Sequence, residues 1–373
     1  MELGQEDQAG LQRRSGPLSA GVEDNLGTTP VREAHRFDEA ALQRWMAGNV
    51  EGFAGPLKVE QFKGGQSNPT YKLTTPERAY VLRRKPPGQL LKGAHAIERE
   101  AQVLVGLEKA DFPVAHVFGV CTDDTVIGTW FYVMEMIEGR IFWDATLPEV
   151  SAASRAAYFD AMNEVLARLH MVDFEAVGLG SYGRPGNYFE RQISRWSKQY
   201  LDDAEAGRDP NMDQLIEWLP ANIPRGDETA IVHGDCRIDN MIFHPTEPRI
   251  LAVLDWELST LGHPLADFAY NAMMYHMPPH IVAGLGAADL AALNIPSEAD
   301  YVAAYCRRTG RDSIPDYGFY LAFNFFRLAA IFHGIKGRVL RGTAASAQAA
   351  ERAKAFPELA RIAAELAGRD RAI

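Results

Sequence analysis

The sequence predicts an α+β protein of two lobes, a small β-rich one followed by a larger, mostly helical one, and three observations carry that prediction. The chain of 373 residues exceeds what a single hydrophobic core usually organises, so two units are expected. Short strand-like runs cluster between Leu57 and Ile137, separated by turn formers. From Ser151 onward apolar residues recur at the helical period, and strand-like runs return at only three places.

Taken in order, residues 1–36 are polar, glycine-rich and aperiodic, which reads as a flexible N-terminal tail. The small lobe is placed at 37–138. It opens with a helix capped by Asp38, whose Leu42, Trp45 and Met46 fall on one side. LKVEQF (57–62), TYKLTT (70–75) and AYVLRR (79–84) read as an antiparallel meander. Next comes a helix over 95–109, with Ile97, Ala101, Leu104 and Val105 on one stripe and Glu100 beside it. VFGVC (117–121) and the run from Thr129 to Ile137 complete a five-stranded sheet with one inserted helix.

The large lobe is placed at 139–373, after a linker over 135–140. Tyr158, Met162, Val165, Leu166 and Leu169 keep the helical period, as do Ile193, Trp196 and Tyr200. Strands return at AIV (230–232), MIF (241–243) and ILAVLD (250–255), and beyond Pro264 the pattern is helical to the end. The most apolar stretch, FYLAFNFFRLAAIF (319–332), is interrupted by Asn324 and Arg327 and reads as a buried helix rather than a membrane span.

With 38 basic and 49 acidic side chains the formal charge is −11, so the chain offers no global basic field for nucleic acid or an anionic membrane. An anionic ligand must be met by local cations or by metal. Cys121, Cys236 and Cys306 are far apart and form no paired metal-ligand spacing. A disulfide framework or structural zinc is therefore not expected, and a reducing, cytoplasmic setting is. The first residues lack the apolar core of a secretory signal. Composition says nothing of oligomeric state.

One octapeptide stands out. HGDCRIDN (233–240) follows the apolar run TAIV. Its Gly, Asp and Asn could make a plain polar turn. Phosphoryl transfer, however, needs a carboxylate for the acceptor hydroxyl, oxygen ligands for magnesium and a cation near the nucleotide phosphates. Asp235 and Asn240 are five residues apart, the separation of base and metal ligand in protein kinases. Asp255 ends the following apolar run, where a hairpin would return it to the same cleft.

His233, Gly234, Asp235, Asn240 and Asp255 in LDWE resemble the HGDxxxxN and DxE signatures of the aminoglycoside phosphotransferase-like, or choline kinase-like, phosphotransferase family. The likeness runs over nearly the whole chain after residue 40. Residues 82–100, 123–140 and 178–200 are further similar to a subgroup. It comprises the kinase-like domain of acyl-CoA dehydrogenase fusion proteins and bacterial kinases associated with 4-hydroxyacyl-CoA breakdown.

The resemblance implies a bilobal protein-kinase-like fold, ATP and Mg²⁺ as cofactors, and a small-molecule alcohol as acceptor, with a 4-hydroxyacyl-CoA as the most specific reading. An antibiotic phosphotransferase and an inactive nucleotide-binding pseudokinase-like module are the alternatives. It also implies Asp235 as catalytic base, Asn240 and Asp255 as metal ligands, Glu257 as a helper through water, and His233 and Asp267 as scaffold.

GGQSNPTY (64–71) sits where a phosphate-covering loop would, with Gly64, Gly65, Ser67 and Asn68 as donors, although it reads equally as a hairpin turn. Glu135, Met136 and Ile137 form the hinge whose backbone would meet adenine. Arg83 stands where the family usually has lysine, with Glu100 as its partner and Lys85 as a stand-in on the same strand face. Arg184, Arg191, Arg195 and Lys198 could meet CoA phosphates, but charges on helix faces are usually just solvated. Cys236 is expected to pack, and Asp239 to face solvent or cap locally.

Overall fold

The computed structural model describes residues 27–63, 68–86, 96–343 and 349–368. In the small lobe β1 (Thr28–Thr29) precedes α1 (Glu39–Asn49), which starts where Asp38 accepts the Ala41 N–H at 2.9 Å. β2 (Lys58–Phe62), β3 (Thr70–Thr74) and β4 (Ala79–Arg84) form the expected antiparallel meander. After α2 (Ile97–Glu108), β5 (Val117–Cys121) and β6 (Phe131–Glu135) close the sheet, with β6 lying between β4 and β5.

The sheet has six strands rather than five, because Thr28 and Thr29 pair with Phe62 and Gln61 of β2. Residues 27–36, expected as part of a tail, are therefore held on the lobe. The His35 carbonyl accepts from the Tyr71 hydroxyl at 3.0 Å and from Arg84 Nη2 at 3.2 Å. Arg84 is only 2% exposed and lies against the Phe37 and Tyr71 rings. A buried guanidinium requires acceptors, and the carbonyls of His35 and Ile127 supply them. Residues 1–26 lie outside the described residues.

The large lobe contains α3 (Ala152–His170), α4 (Tyr188–Asp202) and α5 (Pro210–Ala221). Two short hairpin-like sheets follow, β7 (Ala230–Val232) with β10 (Thr260–Gly262), and β8 (Met241–Phe243) with β9 (Ile250–Val253). The sequence pattern does not reveal β10. The strand expected to 255 stops at Val253, which leaves Asp255 on a turn. Helices α6 (Pro264–Ala272), α7 (Leu290–Leu293), α8 (Glu298–Thr309), α9 (Tyr317–Leu340) and α10 (Ala349–Ala367) complete the lobe, although residues 276–289 are irregular.

Two apolar cores result. One lies between α1 and the sheet and includes Leu42, Met46, Leu73, Leu82 and Phe131. The other fills the large lobe and takes in the inner face of α2 through Ile97, Val103 and Leu107, so the inserted helix belongs energetically to both lobes. Among the described residues α9 alone is long and apolar enough to cross a membrane, and 94% of its apolar window is buried within the protein. The chain passes between lobes at Gly139, where a Cβ would lie 2.3 Å from the Phe243 carbonyl oxygen. Only glycine allows that approach.

Candidate active site

The 233–240 loop leaves the buried strand β7 and is held from several sides. Both Asp267 oxygens accept backbone N–H groups, from His233 at 2.7 Å and Gly234 at 2.8 Å. His170 Nε2 lies 3.2 Å from the same carboxylate. Burial alone would push the Asp267 carboxyl up, but these donors hold it below its ordinary range. His233 Nδ1 accepts the Asp235 N–H at 3.1 Å, so Nε2 carries the proton and donates to the Leu254 carbonyl at 2.8 Å. The imidazole thus fastens the loop to the segment that delivers Asp255. Gly234 has φ +84°, and a Cβ there would meet the Leu258 carbonyl oxygen at 2.9 Å.

Asp235 is presented at the end of this scaffold. Its Oδ1 accepts the Tyr270 hydroxyl at 2.5 Å, and Oδ2 accepts Asn240 Nδ2 at 3.1 Å. Asn240 Nδ2 also donates to the Asp235 carbonyl at 2.8 Å. With its amide nitrogen occupied, Asn240 keeps its carbonyl oxygen for another partner. Arg327 Nη2 and Asn271 Nδ2 hold the Gly234 and Cys236 carbonyls at 2.6 and 3.0 Å. Burial pushes the Cys236 thiol well up, which suits an inert packing residue.

Arg237 contradicts the expectation that its neighbour Asp239 faces solvent. Its Nη2 lies 3.0 Å from Asp239 Oδ2, and its Nε lies 3.6 Å from Asp235 Oδ1. The Asp239 side chain is 13% exposed, and burial raises its carboxyl above the ordinary value despite Arg237. A half-buried cation so close to Asp235 needs a second carboxylate, and Asp239 provides it.

The small lobe delivers the facing cation. Register places Arg83 of β4 opposite Thr70 and Tyr132, and its guanidinium crosses to the large lobe. Arg83 Nε lies 2.7 Å from Glu100 Oε2, though poorly aligned for a hydrogen bond, and Nη2 lies 2.9 Å from Asp255 Oδ1 and 3.7 Å from Glu257 Oε2. Burial opposes the charge on Arg83, but Glu100, Tyr132, Asp255 and Glu257 together favour it. Glu100 also accepts from Asn68 Nδ2 at 2.8 Å and the Tyr132 hydroxyl at 3.2 Å. Asp255 sits at φ +64°, a left-handed conformation that a non-glycine residue rarely holds without reason.

Five of the residues singled out in the sequence therefore fall into two groups, Asp235 with Asn240 and Arg83 with Glu100 and Asp255, joined where the Leu254 N–H donates to the Asn240 main-chain carbonyl at 2.8 Å. Gly64, Gly65 and Ser67 lie outside the described residues. Asn68 departs from its expected place as a phosphate donor, since it is fully buried and turns its amide to Glu100. Lys85 is not the stand-in for Arg83, because its ammonium pairs with Glu98 at 2.8 Å and lies over the Trp130 ring. At the hinge, Glu135 is exposed and its N–H is held by the His116 carbonyl at 2.8 Å, while Met136 and Ile137 are half-buried.

The sequence pattern of the phosphotransferase enzyme family matches residues 58–314, which span most of both lobes and every member of this cluster. The chain belongs to the phosphotransferase enzyme family. It is accordingly a phosphotransferase with an alcohol group as acceptor. It is 43% identical to mouse acyl-CoA dehydrogenase family member 10 over 95% of this chain and 33% of that protein. It is 46% identical to chicken acyl-CoA dehydrogenase family member 11 over 92% of this chain and 45% of that protein. The chain thus spans less than half of these curated relatives.

A Ralstonia eutropha crystal structure, provisionally described as an aminoglycoside phosphotransferase, is 53% identical, with a TM-score of 0.84 over 90% of this chain and 100% of that one. Cryptosporidium parvum choline kinase shares the fold at 12% identity, with a TM-score of 0.59 over 88% of this chain and 96% of that one. The phosphotransferase fold makes the bilobal protein-kinase-like reading secure.

Within this phosphotransferase, Tyr270 and Arg237 are the site residues that the sequence pattern does not single out. Tyr270 lies three residues after Asp267, on the same face of α6, so helical spacing is the available signal. The cations considered for CoA phosphates are largely engaged: Arg191 donates to the Arg184 and Gly186 carbonyls, Lys198 pairs with Asp202, and Arg195 lies over Trp196.

Proposed function

We propose that this protein is an ATP- and Mg²⁺-dependent small-molecule kinase in which Asp235 is the base for the acceptor hydroxyl. The observation that supports it most is the joining of two groups from opposite lobes by one ion pair, Arg83 to Asp255, beside the braced Asp235. Each Asp235 oxygen already accepts one donor and retains a further lone pair. A hydroxyl placed there passes its proton to the carboxylate as its oxygen attacks phosphorus and the bond to the ADP oxygen breaks.

The donor set suits a hard divalent cation: the Asn240 carbonyl oxygen and the partly exposed Asp255 carboxylate would hold it, with Glu257 within reach of the same region. When bound, Mg²⁺ supplies positive charge to the nucleotide phosphates. Arg83, 2.9 Å from Asp255, is a protein cation at that position, and Glu100 keeps it aimed. Gly64, Gly65 and Ser67 are assigned to the phosphates, and the hinge at 135–137 to the adenine edge. The three free, buried cysteines suit a reducing compartment, the cytoplasm in this proposal.

For the acceptor we adopt a 4-hydroxyacyl-CoA, supported by the acyl-CoA dehydrogenase names of the relatives. The test is ADP release from Mg·ATP in the presence of hydroxyacyl-CoAs, choline, sugars and aminoglycosides. The expected result is stimulation by a hydroxyacyl-CoA. Release no faster than without acceptor across the panel would overturn the kinase reading, and stimulation by aminoglycosides alone would replace the acceptor.

A further inference from the structure

Beside Asp235 lies a small cavity whose chemistry is unlike that of the cleft. Its wall is apolar, built from Met273, Met274, Met277, Val282 and Ala283, and at one end stand Arg237 and Tyr270, the groups that contact Asp235. Arg237 is the charged side chain that lines it, and among the described residues no carboxylate does. The wall is fixed on one side, since the Leu285 and Gly286 N–H groups donate to the Met274 and Met277 carbonyls at 2.8 and 2.9 Å. The cavity volume is about 20 Å³, room for little more than a water. Thioether side chains, with three rotatable bonds, are the ones best able to widen such a space.

Arg237 Nε adds a second observation. It is buried and has no hydrogen-bond partner, because Asp235 lies 3.6 Å away, beyond hydrogen-bond range. A buried N–H of this kind calls for an oxygen, and it sits where the apolar wall meets the proposed base.

We propose that this cavity is the acceptor's hydrocarbon subsite. The alkyl arm on the hydroxyl-bearing carbon enters between Met274 and Ala283, and an oxygen of the acceptor takes the Arg237 Nε proton as a hydrogen bond. This rests on Asp235 being the base and refines which alcohols reach it. An alkyl arm leaves only water behind when it is buried there.

The test compares 4-hydroxypentanoyl-CoA with 4-hydroxynonanoyl-CoA, by calorimetric binding to the full-length protein and by Mg·ATP turnover. Wild type should bind the longer compound roughly tenfold or more tightly. Ala283→Phe, at a half-buried position of the cavity wall, should erase that preference while leaving the KM for ATP unchanged. Met274→Ala should move the preference toward still longer arms. Equal binding of both chain lengths, or an Ala283→Phe loss that is the same for both, would overturn the subsite. Binding is read without turnover, so it decides the subsite even if no compound is phosphorylated, an outcome that would count against the kinase reading alone.

Discussion

On the large-lobe side of the cleft, the 233–240 loop is fixed by groups that belong to its own lobe: Asp267, His233, Arg327 and Asn271 each hold a backbone atom at 3.1 Å or less. On the small-lobe side, Arg83 is anchored at home by Glu100 and reaches across to Asp255 and Glu257. The first arrangement is what a proton acceptor requires, since a displaced base loses its geometry. The second is what a phosphate-binding cation can use, because Asp255 is a partner that a metal-bound nucleotide would compete for. The contrast predicts that substitutions on the large-lobe side act mainly on turnover or fold, and those at Arg83 mainly on nucleotide affinity.

The strongest attempt to break this division is Asp235→Asn. It keeps the acceptor atom for Tyr270 and removes the base, so kcat should fall by about 10²- to 10⁴-fold. Binding of Mg·ATP, measured by calorimetry, should be little changed. A large loss of nucleotide affinity instead would mean that Asp235 serves the metal.

The fold of the braced side has its own pH signature. His263 caps α6 by accepting the Leu265 N–H at 3.2 Å, and burial lowers its value from 6.5 to about 4. Protonation therefore favours the unfolded chain, which binds the extra proton first. Stability contributed by neutral His263 is complete above pH 6.5 and is lost progressively as pH falls toward 4, by at most about 3 kcal/mol. Denaturant unfolding across that window should show the slope, and His263→Asn, which can still cap, should flatten it. An unchanged slope would remove His263 from the account.

Legibility in the sequence follows the range of the interactions. Asp235 and Asn240 share eight residues, and Asp255 follows one hairpin later, so local spacing is enough to group them. Arg83 and Glu100 can be paired because a strand and the next helix have fixed faces. Arg327 reaches Gly234 across 93 residues, a contact that no periodicity encodes. Asn324 and Arg327 look like interruptions of an apolar helix, and in the fold they hold Ala266 and Gly234. β1 and β10, of two and three residues, are too short for alternation to register. Arg84 hides for another reason: beside Arg83 it looks like surface charge, yet the strand turns it into the small-lobe core.

Arg83→Lys probes the crossing side. The guanidinium touches Glu100 through Nε and Asp255 through Nη2, and a single ammonium cannot reproduce that fork. The KM for Mg·ATP should rise roughly tenfold, the low end for removal of a charge-assisted hydrogen bond, with kcat less affected. A fall in kcat at unchanged nucleotide affinity would transfer Arg83 to the braced side and erase the distinction drawn between the two.

Tyr270→Phe should have the smallest effect and draws the boundary most finely. The hydroxyl donates to Asp235 Oδ1 at 2.5 Å, and burial, reinforced by the Asp235 charge, pushes it far above the ordinary tyrosine value, so it remains a donor at any working pH. Removing it leaves Asp235 with Asn240 as its side-chain donor and frees one oxygen to turn. Loss of one such hydrogen bond costs about 1 kcal/mol, so kcat should fall by roughly fivefold with the KM for ATP unchanged. If instead the acceptor KM rises while kcat holds, Tyr270 acts through the apolar cavity that it also lines, and orientation of Asp235 rests on Asn240.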